Sequence, residues 1–325
     1  MRSTLARVVG RVWLCILATS LVYLLAGLSF DPLAELRQVH PPVPPEVLAA
    51  RAEQLGLGLP LAMRLLHWWQ VVATGDLGIT VDGQPVSDEL GRRLGTTLRL
   101  FLPGGILAVT LGVGLGVWSA ARNRSVGDAA LTGFSLLLLA LPVFVLGTVL
   151  KILWLPVNLA AGVQLLPFSG ESTPGVALTG WPAVLDQARH LVLPTLAIML
   201  PQLAFYSRYQ RAAMLDVLDS EFLRTARAKG HTRWGAIGRH GVRMALIPMT
   251  ALIAFSFGLH LAGGVFTERI FGWHGLGDWL LLGISAQDAN VVAASALLLS
   301  AMVAVAGVAA DLLLAGLDPR TRRLR

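Results

Sequence analysis

The chain has 325 residues, of which 55% are hydrophobic and only 14% are charged, and it carries a formal net charge of +7. Soluble globular domains carry nearly twice that fraction of charged residues, so the composition argues against a soluble protein and favours a membrane protein. The positive net charge could suggest a nucleic-acid partner, but the way the cations are distributed, described below, excludes nucleic acid from the expected partners. A single cysteine, Cys15, excludes an intramolecular disulfide.

Six uncharged stretches follow one another along the chain, and each holds roughly the twenty residues that a helix needs to cross a bilayer. They are Val12–Phe30, Leu100–Ala121, Ala129–Leu150, His190–Ser207, Met244–Thr267 and Ala289–Ala310. We therefore expect an all-α, polytopic membrane protein with six transmembrane helices. The first stretch is followed by Asp31-Pro32 and by no small-residue cleavage site, which favours a retained span over a removed signal peptide.

The segments that connect the predicted spans differ in their content of Lys and Arg. If the N-terminus is cytoplasmic, the inner segments 1–11, 122–128, 208–243 and 318–325 hold 17 of the 26 Lys and Arg residues but only five acidic residues. Because cytoplasmic loops carry an excess of basic residues, this pattern predicts that both ends of the chain are cytoplasmic. Residues 31–99 would then lie outside.

The outer segment contains an amphipathic stretch between residues 45 and 72. It predicts two short helices that are separated near Gly56–Pro60. His67, Trp68 and Trp69 could lie at the membrane interface, where aromatic residues collect, or could pack within a small outer subdomain. The sequence leaves both interpretations open.

Glycines and prolines predict where the spans approach one another or bend. Gly112 and Gly116 form a G-x-x-x-G pattern, which allows two membrane helices to approach closely. Pro142 should kink the third span, and Pro194 and Pro201 should bend the fourth.

Several kinds of chemistry have no motif in this sequence. It contains no Walker A motif, no H-E-x-x-H or Cys/His cluster and no nucleophile elbow, so we expect neither a catalytic residue nor a metal or cofactor bound by this chain. His260 is the most conspicuous polar residue within the predicted spans, and we expect it to be neutral and hydrogen-bonded between helices. Lys151 and Asp311 should lie at span ends and extend toward the membrane surface.

The stretch EFLRTARAKG, Glu221 to Gly230, predicts a charged helix in the longest inner segment. Ser220 can cap the start of this helix, where the carboxylate of Glu221 is favourably placed, one turn from Arg224. Gly230 would end it in a left-handed conformation. The helical spacing of four apolar residues predicts one continuous apolar stripe, made of Leu215, Leu218, Phe222 and Ala226.

A second short helix, TRWGAIGRH, is predicted to start at Thr232, and Pro248 is predicted to open the next span. On physical grounds the whole unit has two interpretations. It is either a basic amphipathic loop that lies on anionic lipid or a docking element for another protein.

The residues RTARAKG, followed by RH-x-x-x-x-A-L-I-P, resemble the EAA loop of ABC importer permeases in the dipeptide, oligopeptide and nickel transport family. Ala226 and Gly230 match the general consensus of that loop, whereas Arg224 and Thr225 stand where it has Glu and Ala. Further stretches resemble the same family in the same order: GDLGITVDGQPVSDELGRRLGTTL (75–98), LPVF (141–144), HLVLPTLAIMLP (190–201), FGWHGLGDWL (271–280) and LDPR (317–320).

The resemblance implies the type-I ABC importer permease fold and a set of partners. These would be a second homologous permease in a heterodimer, two cytoplasmic ABC ATPases that hydrolyse ATP, and an extracytoplasmic solute-binding protein. The cargo would be di- or oligopeptides, with nickel or a metal chelate as the alternative. A membrane sensor or scaffold that holds a partner with the basic loop is a rival of another class, and an ion-coupled carrier is disfavoured because few acidic residues are buried.

The resemblance also assigns roles to residues, although it identifies none that binds substrate. Polar contacts to the ATPase would come from the charged helix, and Trp234 and Ile237 would fill apolar hollows on it. The complete coupling set is Glu221, Arg224, Thr225, Ala226, Arg227, Lys229, Gly230, Thr232, Trp234 and Ile237. The candidate docking residues for the binding protein are Asp76, Gly78, Gly275 and Asp278, with turns that serve only local packing as the alternative.

The domain organisation that follows has three parts. Residues 1–95 would form an N-terminal transmembrane helix with an extracytoplasmic segment. Residues 96–315 would form the transmembrane domain, which includes a cytoplasmic coupling loop at 208–247. Residues 316–325 would form a basic cytoplasmic tail. The family places such a chain in the bacterial cytoplasmic membrane.

Overall fold

The computed structural model describes residues 2–38, 40, 43–262 and 264–317, and the regular secondary structure of this part is helical apart from one isolated β-bridge between Ile79 and Pro85. The predicted basic tail therefore lies almost wholly outside the described residues. In chain order the helices are α1 (Arg2–Ser29), α2 (Ala34–Gln38), α3 (Pro45–Gln54), α4 (Leu61–Ala73), α5 (Val86–Ala121), α6 (Val126–Ala140), α7 (Val143–Ala161), α8 (Trp181–Leu218), α9 (Glu221–Ala228), α10 (Arg233–Ala236), a π-helical turn (Ile237–Gly241), α11 (Val242–Ala262), α12 (Val265–Phe271), α13 (Leu276–Ser285) and α14 (Ala289–Leu317).

Among the described residues, five helices are long and apolar enough to cross a membrane. They are Ala6–Ser29 of α1, the whole of α5, α7 and α8, and Ala289–Gly316 of α14. The remaining predicted stretch, Met244–Thr267, coincides with the 21 residues of α11 and the start of α12. Each of the six predicted stretches thus contains a helix, and the all-α polytopic fold is confirmed.

The third predicted span is divided in two. Helix α6 ends at Ala140, Leu141 is extended with φ −92° and ψ 124°, and α7 begins after Pro142. A proline disfavours helical geometry in the residue before it and has no amide hydrogen to donate, so Pro142 breaks the span where only a kink was predicted. In contrast, Pro194 and Pro201 lie inside the uninterrupted helix α8.

The chain forms two compact units. The first unit comprises Met1–Thr97 and His274–Ala304, and the second comprises Leu98–Trp273 and Val305–Arg325.

In the first unit, the aromatic residues of α4 pack against α1. The ring of Trp68 lies 5.4 Å from that of Tyr23, and its indole nitrogen donates a hydrogen bond to the Leu77 carbonyl at 3.2 Å. Trp69 donates to the hydroxyl of Ser20 at 3.0 Å. Of the two interpretations for these tryptophans, the structure therefore supports packing within the subdomain. The predicted pair of helices is also confirmed, because α3 and α4 are separated by residues 55–60.

The second unit is organised around the contact between α5 and α8. A Cβ atom added at Gly112 would lie 3.0 Å from the Leu203 carbonyl oxygen, and one added at Gly116 would lie 2.6 Å from that of Ser207. Backbones this close leave no room for a side chain. The close approach predicted from the G-x-x-x-G pattern is confirmed.

Two predictions about polar residues in the spans are wrong. Lys151 lies in the middle of α7, not at its end, and donates a hydrogen bond to the Ile270 carbonyl. His260 donates from Nδ1 to the Ser256 carbonyl at 2.6 Å, so this hydrogen bond stays within α11 and does not join two helices. In both cases a nearby carbonyl, which the sequence pattern does not reveal, accepts the hydrogen bond.

Candidate functional site

Helix α9 is set apart from the long helix α8 by a two-residue break. Helix α8 ends at Leu218, and Ser220 adopts the extended geometry of an N-cap, with φ −73° and ψ 146°. Its hydroxyl, however, donates backward to the Val217 carbonyl at 2.5 Å and accepts no amide of α9. The position of the cap was predicted correctly and its hydrogen bond was not. Glu221 lies in the first turn, as predicted.

The end of α9 is a left-handed cap. Gly230 has a φ of +92°, and its amide donates to the Arg227 carbonyl at 3.0 Å. The amide of His231 reaches back to the Ala226 carbonyl at 3.4 Å. These two bonds and the positive φ define a Schellman motif, so the predicted glycine cap is confirmed.

Helix α9 rests on the second unit through two residues, Leu223 and Ala226. Phe222 is 40% exposed. The predicted continuous stripe is therefore wrong, because the break after Leu218 changes which residues of α9 face the core. The buried cluster on which the helix rests consists of Ala120, Ala121, Met214, Leu223, Ala226, Ala236, Ile237 and Ala245.

The second short helix begins as predicted but does not end as predicted. The hydroxyl of Thr232 accepts a hydrogen bond from the Gly235 amide at 3.1 Å, which caps α10. After Ala236 the chain continues through the π-helical turn directly into α11. Pro248 thus lies inside α11 and does not open it. The absence of a break joins α10 firmly to the long helix that follows.

Arg233 holds α10 to the end of α5. Its guanidinium donates to the Ala121 carbonyl at 2.6 Å. Because the last carbonyls of a helix have no partner within it, a basic side chain at this point satisfies one of them. Sequence reasoning did not single out this residue, and only its place one residue after the Thr232 cap could have suggested it.

Sequence reasoning also missed an ion pair that involves a residue of α8 shortly before α9. Arg211 of α8 contacts Asp128 of α6 through Nε and Nη2, both at 2.7 Å, and Nη2 also donates to the Asn123 amide oxygen at 3.0 Å. Asp128 is buried and also accepts bonds from the Ser119 hydroxyl and from the Arg124 amide. A buried carboxylate is costly unless it is paired and hydrogen-bonded, and here its bonds to the partly exposed Arg211 fix α6 to α8.

The predicted coupling residues divide into exposed and buried sets. Trp234 is 52% exposed, whereas Ile237 is only 1% exposed and belongs to the cluster below α9. Ile237 therefore fills a hollow in its own chain and not one on a partner, and Ala226 is likewise buried. The exposed members are Glu221, Arg224, Thr225, Arg227, Lys229, Gly230, Thr232 and Trp234.

The second predicted site, around Asp76 and Gly78, is a turn at the surface. The Asp76 carboxylate accepts a hydrogen bond from the Gly78 amide at 3.0 Å, and Gly78 has a φ of +88°. Asp76 is exposed. The turn requires a positive φ at residue 78, which glycine adopts easily, and it leaves the Asp76 side chain at the surface.

The other half of that predicted site lies inside the first unit. Gly275 is buried at the start of α13, and the Asp278 side chain is only 9% exposed. Its carboxylate lies 3.1 Å from His274 Nδ1 and 3.6 Å from the Arg93 guanidinium. The prediction that Asp278 is a surface docking residue is therefore wrong. Its negative charge interacts with Arg93 and His274 of the same unit.

Asp288 is a further buried carboxylate of the first unit that the sequence did not single out. It accepts hydrogen bonds from the amides of Asn290 and Val291 at the start of α14 and from the amide of Val81 at 2.6 Å. Burial raises the pKa of the Asp288 carboxyl, against the effect of these donors. The Asp288 carboxylate thus links the backbone of Val81 to the start of α14.

The sequence matches a known family of membrane proteins over more than half of its length. Residues 112–323 match the family described as binding-protein-dependent transport system inner membrane component. The chain belongs to this family, and its fold is the type-I ABC permease fold.

Similar proteins extend the match over nearly the whole chain. The oligopeptide transport system permease protein OppB of Mycobacterium tuberculosis is 45% identical over 316 residues, which cover 97% of each chain. The dipeptide transport system permease protein DppB of Escherichia coli is 33% identical over 296 residues and 86% of each chain. A probable peptide ABC transporter permease protein, y4tP of Sinorhizobium fredii, is 31% identical over 98% of each chain.

Proposed function

We propose that this chain is the permease subunit of an ATP-driven importer that carries di- or oligopeptides across the bacterial cytoplasmic membrane. The observation that carries the proposal is the 45% identity with an oligopeptide permease over 97% of both chains. A match of that length includes the spans and the connecting segments together. Nickel or a metal chelate remains the alternative cargo.

The proposed partners are a second, homologous permease, two ATPases and an extracytoplasmic binding protein. In this proposal the ATPases bind and hydrolyse ATP, and this chain holds no ATP site of its own. Their docking surface is the exposed side of α9 and α10, where Arg224, Arg227 and Trp234 are accessible. The capped end at Gly230 and the continuous path into α11 support this role, because a rigid element transmits a displacement that a flexible loop would absorb.

The proposed orientation places both chain ends and the 208–247 segment in the cytoplasm and residues 31–99 outside. Domain boundaries at residues 95 and 315 belong to the same proposal. Asp76 is the candidate contact for the binding protein, since it is the exposed aspartate of the two that were predicted.

Uptake into proteoliposomes tests the proposed cargo. The chain would be reconstituted with its partner permease and ATPases, with the binding protein on one side of the membrane and ATP on the other. We expect labelled oligopeptide to accumulate only when both ATP and the binding protein are present. Accumulation of nickel without accumulation of peptide would replace the proposed cargo with the alternative.

Cysteine labelling tests the orientation. In a Cys15→Ser background, Asp82→Cys should react with an impermeant thiol reagent added to intact cells, and Thr232→Cys should react only after the membrane is opened. Both positions are accessible in the described structure, so burial does not explain a difference between them. Labelling of both from outside would contradict the proposed orientation.

A further inference from the structure

The first unit contains a cavity of about 400 Å³ beside α4. Its lining includes residues of the connection between α3 and α4 and Asn290 at the start of α14. Polar and aromatic side chains line much of it: Tyr23, Glu53, Arg64, His67, Trp68 and Asn290. Under the proposed orientation this unit contains residues 31–97 of the outer segment, so the cavity is on the side from which a substrate arrives.

Arg64 brings into this cavity a positive charge that forms no ion pair with a described carboxylate, although Glu53 lines the same cavity. Its guanidinium acts electrostatically on the Tyr23 hydroxyl, and its buried Nε has no hydrogen-bond partner among the described residues. Two other arginines of the same unit are paired with carboxylates, Arg37 with Asp31 at 2.5 Å and Arg93 with Glu89 at 2.6 Å, whereas Arg51 bonds to the Gln54 amide oxygen. A half-buried guanidinium without a carboxylate is costly, and an anionic ligand would remove that cost.

The geometry of a guanidinium favours one kind of anion. Its donors form a planar fork that matches the two oxygens of a carboxylate. The Nε of this fork has no hydrogen-bond partner among the described residues, and Arg64 lines the cavity, so a carboxylate there can approach the guanidinium.

The remaining lining residues indicate which chemical group lies next to the carboxylate of the ligand. Trp68 is buried, and Leu55, Leu59 and Val71 add apolar surface on the same cavity. Apolar walls favour an aliphatic or aromatic side chain next to the carboxylate. Glu53 is exposed and lines the cavity, where it would repel a ligand of net negative charge and tolerate a zwitterion.

We propose that this cavity binds the C-terminal residue of a short peptide, with the α-carboxylate on Arg64 and an apolar side chain against Trp68. The choice of a peptide as the ligand rests on the proposed function. The carboxylate and the apolar side chain come from the cavity itself, and a free apolar amino acid carries the same chemistry. The site would hold peptide at the outer side, apart from the path through the membrane.

Calorimetric titration of the purified full-length chain, with neither ATP nor binding protein, tests the proposal. The probes are the tripeptide Ala-Leu-Leu, its C-terminal amide, free leucine and inorganic phosphate. We expect the amide to bind at least about tenfold more weakly than the acid, because a hydrogen bond between charged groups is lost. This comparison uses the unmodified chain and needs no variant that might misfold.

Variants locate the binding in the cavity. Arg64→Gln should weaken binding of the tripeptide at least about tenfold, and Arg64→Lys, which keeps the charge but not the fork, should weaken it less. Arg37→Gln is the matched control, since Arg37 is an arginine of the same unit that is paired at the surface, and it should leave binding unchanged. Thermal unfolding of each variant shows whether the fold is kept.

Three results would overturn the proposal. These are equal binding of acid and amide, unchanged binding by a folded Arg64→Gln variant, and phosphate or free leucine binding as tightly as the tripeptide. The test is separate from the test of the proposed function. Binding without peptide uptake would reject the importer alone, and peptide uptake without binding would reject the cavity alone.

Discussion

Helices α9 and α13 share an acidic residue in the first turn but place it in opposite environments. Each has an acid in its first turn, Glu221 in one and Asp278 in the other, and both helices were predicted to dock partners. The Glu221 side chain is 94% exposed and lies 3.6 Å from Arg224. The Asp278 side chain is 9% exposed and is held by Arg93 and His274.

The difference comes from what packs around each helix. Helix α9 buries only Leu223 and Ala226, so one narrow side contacts the protein and the charged sides remain in solvent. Helix α13 buries residues on several sides, among them Leu276 and Trp279, and its aspartate is enclosed with them. An acid near a helix start therefore says little about a partner until its burial is known.

Charge reversal of the buried aspartate should have the largest effect on stability. Asp278→Lys would place a second cation beside Arg93 in a buried site. We expect a loss of about 3–5 kcal/mol in the free energy of unfolding, since the new ammonium group would be buried beside a like charge. Thermal unfolding in detergent and the yield of folded protein measure it.

The matched control for that substitution is Glu221→Lys, which makes the same change on an exposed side chain. It should leave the unfolding temperature unchanged. If Asp278→Lys were as stable as the unmodified chain, the distinction between the two helices would fail.

Much of the fold follows from the sequence, because long uncharged stretches and the G-x-x-x-G pattern are local signals with a physical meaning. The glycine cap at Gly230 and the Thr232 cap were predicted for the same reason. Ile237 and Asp278 were assigned wrongly because burial depends on residues far away in the chain. The Asp128–Arg211 pair joins residues 83 positions apart, and a single sequence contains no signal of that pairing.

Substitution of Gly230 should have an intermediate effect, confined to the proposed coupling segment. A valine at φ +92° is strained, at a cost of roughly 1–2 kcal/mol or more, so the direction of the chain after α9 should change. We expect Gly230→Val to insert and purify normally but to lose most ATP-driven uptake. Gly230→Asn should retain more uptake, because asparagine tolerates this backbone region better.

Gly238→Val is the control for valine at a nearby exposed glycine. Gly238 has no positive φ, and a Cβ there meets nothing within 4 Å. This variant should keep its uptake. Normal uptake by Gly230→Val would mean that the angle set by the cap does not matter, as expected if the segment simply lies on lipid.

The smallest effect on stability is expected for Arg224, on the exposed side of α9. Its side chain is 68% exposed, and ion pairs in water contribute little to folding, so Arg224→Glu should not change the unfolding temperature. If this side docks an ATPase, the reversed charge should still reduce the amount of ATPase that copurifies with the permease. That reduction should be largest at low ionic strength, because salt screens exposed charges. If the Arg224→Glu variant copurified as much ATPase as the unmodified chain at both low and high salt, Arg224 would not contact the partner. A large loss of stability in this variant would show that α9 is as enclosed as α13.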